Sequence, residues 1–167
     1  MPAHDHVSSF DEAKFRQVLG YYPTGVVVVT AIDDAGKPAG LAIGSFTSVS
    51  LDPPLVAFFP DKKSSSWPKI EAAGTFCVNI LGENQEEVSR VFALKGADKF
   101  ASIGWSPGRT GAPVLNGVIA WIECTIERVD DAGDHLSVLG RVVDLSVGQA
   151  RGGPLIFFRG GYGRYEL

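Results

Sequence analysis

The segment 43-IGSFTSVSLDPPLVAFFPDKKSSSW-67 joins a hydroxyl-rich run, a Pro-Pro corner, an apolar run and three serines beside two lysines. The alternation from Ala39 to Ser48 is that of a β-strand, because a period of two places successive side chains on opposite faces. Leu51-Asp52-Pro53-Pro54 breaks the chain, and 55-LVAFF-59 reads as a third, central strand that is apolar on both faces. Ser66 to Gly74 reads as a short helix with Pro68 in its first turn, where a missing N–H costs nothing, and Gly74 as its stop.

Working upstream, 26-VVVVTAI-32 is a β-branched run too short for a helix. With the turn 33-DDAGKP-38, residues 26–48 form a hairpin. Residues 10–20 place Phe10, Ala13, Phe15, Val18 and Leu19 on one helical face, with Ser8 or Ser9 to cap its start and Gly20 at its end. Downstream, 75-TFCVNIL-81 is a strand, and residues 84–94 form a helix capped by Asn84 with Val88, Val91 and Phe92 inward. Residues 95–117 look irregular. Two long strands, 118–129 and 136–147, are joined by 130-DDAGDH-135, and a pair at 155–159 and 162–166 closes the chain. About seven mostly antiparallel strands with two or three short helices predict a mainly β protein, a β-barrel with helical covers. Residues 1–9 are expected to be disordered and 10–167 to form one domain.

Composition narrows the function. A net charge of −4 without a basic surplus argues against nucleic acid. No basic leader with an apolar core opens the chain, and no apolar run nears the ~20 residues of a membrane span. Cys77 and Cys124 each lie in an apolar run and read as buried free thiols, so a reduced, cytoplasmic setting is expected. With His135 they offer too few ligands for a metal site.

The familiar nucleotide motifs are missing. No Walker loop and no G-x-G-x-x-G opens a helix after a strand; Gly152-Gly153 and Gly160-Gly161-Tyr162-Gly163 read as turns. No G-x-S-x-G elbow appears. The opening segment remains. Gly44 and Ser45 are small enough for a flat ring to approach the backbone. In 60-PDKKSSSW-67, lysines, hydroxyls and a helix start converge in a way that suits phosphate. A solvated strand face and a capped surface helix would account for the same residues.

The order Phe15-Arg16, Leu19-Gly20, Pro23-Thr24-Gly25-Val26, Val29-Thr30 and Ser45-Phe46-Thr47-Ser48-Val49-Ser50-Leu51-Asp52-Pro53-Pro54-Leu55-Val56 resembles the flavin reductase-like family. These small reductases supply reduced flavin to two-component monooxygenases. The likeness continues through Gly74-x-Phe76-x-Val78-Asn79, Lys99-Phe100, Glu123-Cys124, Gly133-Asp134-His135, Gly140-Arg141-Val142 and Gly160-x-Tyr162, in order.

The resemblance implies an FMN-binding split β-barrel, antiparallel and Greek-key, built as a homodimer. It implies an NAD(P)H:flavin oxidoreductase using FMN or FAD, with NADH or NADPH as co-substrate and a monooxygenase component receiving the product. Matched position by position, it implies flavin contacts from Thr24, Gly44, Ser45, Phe46, Thr47, Ser48, Pro60, Asp61, Ser64, Ser66, Lys99 and Phe100. His135 and Tyr162 match positions on the nicotinamide side, His135 as the orienting catalytic group. Trp67, Trp105 and Trp121 read as core or interface aromatics rather than ring stackers. Two alternatives use the same barrel: a flavin-retaining oxidase of the pyridoxamine-phosphate type, and a non-catalytic flavin- or haem-binding module. For haem, His4, His6 and His135 are the only imidazoles.

Overall fold

The computed structural model describes residues 11–96 and 98–166. The segment 1–9, expected to be disordered, lies outside them, as do His4, His6 and Phe10. The chain runs α1 (Glu12–Leu19), β1 (Thr24–Gly25), β2 (Val27–Ile32), β3 (Pro38–Ile43), β4 (Thr47–Leu51), β5 (Pro54–Phe58), α2 (Trp67–Ala73), β6 (Thr75–Ile80) and α3 (Glu86–Ala93). It continues through β7 (Trp105–Pro107), β8 (Pro113–Leu115), β9 (Ala120–Ala132), β10 (His135–Val147), β11 (Leu155–Phe158) and β12 (Gly161–Arg164).

Seven strands form one antiparallel sheet in the order β3-β2-β6-β9-β10-β5-β4. β3 and β4 are consecutive in sequence yet lie at opposite edges. On a flat sheet those edges would stand about 29 Å apart, at ~4.8 Å per strand. The link from Ile43 to Thr47 spans only about 14 Å when fully extended. The sheet must therefore roll until its edges approach, and the open seam falls at Gly44–Phe46. The strand expected at 39–48 is thus two strands on opposite rims, broken where the chain crosses the seam.

Two apolar cores result. Inside the roll, Val27, Val29, Ala31, Leu41, Val56, Phe58, Phe76, Val78 and Val138 pack with Trp67 and Ile70 of α2. Outside it, Val26, Val28, Leu81, Phe92 of α3, Leu115, Val118 and Leu155 form a second cluster. β2 is covered on both faces, which explains its unbroken run of valines.

Polar groups lock the outer layer. The buried Asn79 side chain donates to the Val28 carbonyl (3.1 Å) and accepts from Leu115 N (2.8 Å), tying β8 to the sheet. Buried Glu123 accepts from Arg109 N and Thr110 N, both at 2.8 Å, and so holds the β7–β8 turn. The region 95–117, expected to be irregular, contains this short β7–β8 ladder.

Several local expectations are corrected. α1 is capped by Asp11, whose carboxylate accepts from Ala13 N (3.0 Å), and it buries none of its residues. The N-cap position of α3 is Gln85 rather than Asn84. The Gln85 amide is engaged elsewhere, accepting from Gly82 N (2.9 Å) and donating to the Asn116 carbonyl (3.0 Å). β5 is next to the rim strand β4 rather than central. Cys77 and Cys124 are buried and unpaired, and burial pushes both thiols up to about 12. Among the described residues no helix is long and apolar enough to cross a membrane.

Candidate functional site

The seam brings together five of the sequence-predicted residues. Thr24, Gly44, Ser45, Phe46 and Thr47 line one cleft of about 370 Å³, with Tyr22, Pro23 and Phe59 among its other walls. The rolled sheet accounts for this meeting: β1 leads into β2 beside the β3 rim, while Ser45–Thr47 carries the chain across to the β4 rim. Ser45 fastens the crossing. Its hydroxyl accepts from Phe59 N (3.1 Å) and lies 3.3 Å from the Phe59 carbonyl oxygen, to which it donates.

Thr24 Oγ1 is buried and has no hydrogen-bond partner. Such a group costs about 1–3 kcal/mol unless something satisfies it. A Cβ added at Gly44 would stand 3.3 Å from this oxygen, so glycine keeps that approach open. The second orphan among the described residues, Trp67 Nε1, belongs to a side chain in the inner core and does not face the cleft by the cleft's lining. A planar heteroaromatic carrying ring N–H and carbonyl groups fits this donor set: a hydroxyl without a partner, small residues, and backbone groups of an edge strand.

Beyond β5 the chain turns toward the β9–β10 tip. Leu136 N donates to the Pro60 carbonyl (2.9 Å) and Lys62 N to the Asp134 carbonyl (3.0 Å). Asp61 bridges to His135, and Lys62 Nζ pairs with the Asp131 carboxylate at 2.8 Å. Pro60 and Asp61 thus hold His135 in place by backbone contact. The half-exposed imidazole keeps Nδ1 at 2.7 Å from Asp134 Oδ1. That hydrogen bond, reinforced by charge, holds the Asp134 carboxyl below the usual carboxylate range.

A second cavity, about 210 Å³, brings together Asp61, Ser64, Ser65, Ser66 and Lys99. Ser64 Oγ already accepts from Ser66 N (3.3 Å) and Trp67 N (3.2 Å), so it caps the start of α2. Ser66 is buried, and its hydroxyl accepts from Lys99 Nζ at 3.2 Å. Lys99 Nζ also donates to the Gly40 and Phe92 carbonyls, both at 3.1 Å. Burial, followed by the charge of Lys69, lowers the Lys99 pKa. It is a fixed cation at the junction of β3, α2 and α3.

Other predicted residues sit apart from the cleft. Phe100 packs edge-on against Phe92 (5.0 Å) and Trp105 (6.4 Å) in the outer core. Tyr162 shares a 170 Å³ cavity with Gly44 on the outer side. Its hydroxyl is 2.8 Å from Ser89 Oγ and its ring lies under the Arg90 guanidinium, at 5.0 Å from the centroid. Ser48 is exposed on β4, opposite Val56 and beside an irregularity in the ladder. The cleft wall Tyr22 was not singled out from the sequence; its place next to Pro23-Thr24 was the available signal.

Residues 19–166 match the family model described as flavin reductase like domain. A flavin reductase of Pseudomonas putida is 52% identical over 158 residues, covering 95% of this chain and 92% of that protein. Among solved structures, a homologue of nitrilotriacetate monooxygenase component B from Mycobacterium thermoresistibile superposes with a TM-score of 0.90 at 48% identity, covering 93% of this chain and 87% of that one. An NADH:FAD oxidoreductase of Streptomyces globisporus, in complex with NAD and FAD fragments, gives a TM-score of 0.87 at 38% identity, with 93% of both chains covered.

Proposed function

The chain belongs to the flavin reductase like domain family, and we propose that it binds FMN or FAD at the seam of its barrel, reduces it with NADH or NADPH, and releases reduced flavin to a separate monooxygenase component. The observation that carries the placement is the buried, partnerless Thr24 hydroxyl beside Gly44 in the cleft. When bound, the flavin supplies the two-electron chemistry. The chain's contribution is binding, orientation and electrostatics.

Thr24 Oγ1 and the backbone of Gly44–Ser48 offer hydrogen bonds to the ring's polar edge. Backbone N–H groups there favour negative charge on that edge without any side-chain acid. Ser45 keeps the crossing in register through Phe59. Phe46 and Thr47 form a wall of the cleft. Ser66 and Lys99, with the Ser64 turn, supply donors and positive charge for the flavin phosphate, Asp61 shaping that loop through Lys63 N (2.7 Å). His135, fixed by Asp134 and Pro60, orients the nicotinamide nucleotide, and Tyr162 closes the far side of Gly44. Phe100 acts indirectly, by packing the base of the Lys99 turn.

The protein works as a homodimer on this reading. Phe15, Val18, Leu19, Tyr21 and Tyr22 expose 51–73% of their surface on and after α1, next to Phe157 and Phe158 at about 40%. Two buried thiols fit the reducing cytoplasm.

The test is oxidation of NADH and of NADPH by the purified protein, with FMN or FAD added in turn. Turnover should require added flavin and saturate with it. A protein that keeps its flavin through purification and reduces oxygen without nicotinamide would instead be an oxidase.

A further inference from the structure

The β9–β10 hairpin carries His135 at its tip, and the sheet steadies that tip from one side only. β6 pairs with β9 no further than Thr125, with one more bond from Ile126 N to the Gly74 carbonyl (2.9 Å). Past that point the strand neighbour of β9 among the described residues is β10 alone. On the other side of β10 the support comes from β5, whose ladder ends with Phe58 opposite Val138, and then from residues 60–62. These three prolong the ladder. Leu136 N donates to the Pro60 carbonyl, Asp61 bridges to His135, and Lys62 N donates to the Asp134 carbonyl.

Lys62 ends this run, and its side chain goes one strand further. Its Nζ reaches past β10 to the Asp131 carboxylate on β9, at 2.8 Å. The pair therefore clasps three adjacent segments: residues 60–62, β10 and β9. Asp131 stands opposite Leu136, one place from the Ala132–His135 pair that closes the two-residue loop Gly133-Asp134. Strand alternation puts Lys62, Leu136 and Asp131 on one face and Asp61 and His135 on the other. The clasp thus grips the tip from behind the imidazole. Neighbouring cations are engaged elsewhere: Arg128 pairs with Asp130 and Arg141 with Glu127, both at 2.6 Å. The Lys62 ammonium, through its hydrogen bond and its charge, holds the Asp131 carboxyl below the usual carboxylate range. An exposed ion pair adds little to global stability. Here it restrains a two-stranded arm, so its effect falls on where the arm points.

Resting on the reading that His135 orients the nicotinamide nucleotide, we propose that Lys62 and Asp131 are positioning residues for the hydride donor. Their ion pair fixes the β9–β10 tip, and through it the direction of the His135 ring. Neither side chain touches the donor. A small misdirection of a group that aligns two reacting rings is costly, because hydride transfer depends on their alignment.

The experiment measures kcat/KM for NADH with saturating flavin, and the Kd of oxidised FMN and FAD, for the full chain. It compares Lys62→Met, Lys62→Arg, Lys62→Asp, Asp131→Lys and the double exchange Lys62→Asp/Asp131→Lys, with His135→Ala alongside. Lys62→Met should lower kcat/KM for NADH about two- to fivefold, the worth of one exposed ion pair. Lys62→Arg should keep the parental value. Each charge reversal alone should cost more than Lys62→Met, since attraction becomes repulsion, and the double exchange should recover most of the loss. Flavin Kd should not change. A parental kcat/KM in Lys62→Met overturns the proposal. So does a loss that the double exchange leaves in place, which would give Lys62 a direct contact with the donor. A flavin Kd that rises in step with the loss also overturns it, by placing Lys62 in the flavin phosphate site. Parental kcat/KM in His135→Ala is a distinguishable result: it removes the donor-side reading of His135, and the proposal with it.

Discussion

Ser45 and Phe59 are joined by two hydrogen bonds through one hydroxyl, which accepts from Phe59 N at 3.1 Å and donates to the Phe59 carbonyl at 3.3 Å. Fourteen residues apart, they tie the chain that crosses the seam to the end of β5, so the bond fixes a wall of the cleft as well as one loop. Ser45→Ala should lower unfolding free energy by about 1–2 kcal/mol, since the Phe59 amide loses its partner. Chemical denaturation measures this. The same variant should weaken flavin binding as the cleft loses its register.

Thr24→Val separates stability from binding. It preserves shape while deleting a buried hydroxyl that has no partner. The flavin-free variant should be as stable as the parent or more stable by about 1 kcal/mol. Its flavin affinity should fall about tenfold. Opposite signs in thermal melts and flavin titrations are the expected outcome. Lower stability with unchanged affinity would mean the hydroxyl serves the fold.

Gly44→Val tests access. Its Cβ would stand 3.3 Å from Thr24 Oγ1, and the two further methyl groups would enter the cleft. Flavin-dependent NADH oxidation should fall by at least about tenfold through weakened flavin binding. Near-parental circular dichroism is expected, because Gly44 lies on an exposed link and not in either core.

The two thiols give the pH dependence of stability. Cys77 and Cys124 rise from 9.0 to about 12 in the folded state, chiefly through burial, with Glu123 adding repulsion. Above pH 9 the unfolded chain releases these protons and the folded chain does not. Their stabilising effect is therefore complete below pH 9 and is lost as pH rises toward 12. Each should contribute a decline of about 1.4 kcal/mol per pH unit across that window. The difference in slope between the parent and a Cys77→Ala/Cys124→Ala variant, in urea titrations at stepwise pH, isolates the effect.

α1 predicts the assembly. A helix of eight residues with nothing buried has no tertiary packing to sustain it, and short helices alone are marginal in water. Its end is anchored through Arg159 N to the Gly20 carbonyl (2.9 Å) and Tyr21 against Phe158 (6.1 Å). Sedimentation should give twice the 17.8 kDa chain mass, and Phe15→Glu/Val18→Glu should shift it toward the monomer. A parent that sediments as a monomer would leave this apolar surface without its partner.

The legible parts of the fold were those where one residue's environment is set by its near neighbours. The valines of β2 announced a strand covered on both sides, and Gly74 announced a helix end, reached with φ at 72°. What escaped depended on closure. Ala39 to Ser48 alternates like one strand, and only the meeting of the rims splits it at Gly44. β7 and β8, three residues each, are too short to show a period, and they are held by Asn79 and Glu123 from distant strands. The inward face expected of α1 is apolar, as its sequence says, but none of its residues is buried among the described residues. In the site, Gly44 to Thr47 are adjacent in sequence and could be found together, whereas Thr24, twenty residues earlier, joins them only once the sheet has rolled and was reached through the family resemblance.

A crystal structure with oxidised flavin bound tests the central claim most directly. The isoalloxazine should lie between Thr24 and Thr47, with a ring polar atom within hydrogen-bond reach of Thr24 Oγ1 and the phosphate near Ser66 and Lys99. A well-ordered flavin lodged elsewhere, with the Thr24 hydroxyl still unpartnered, would contradict it.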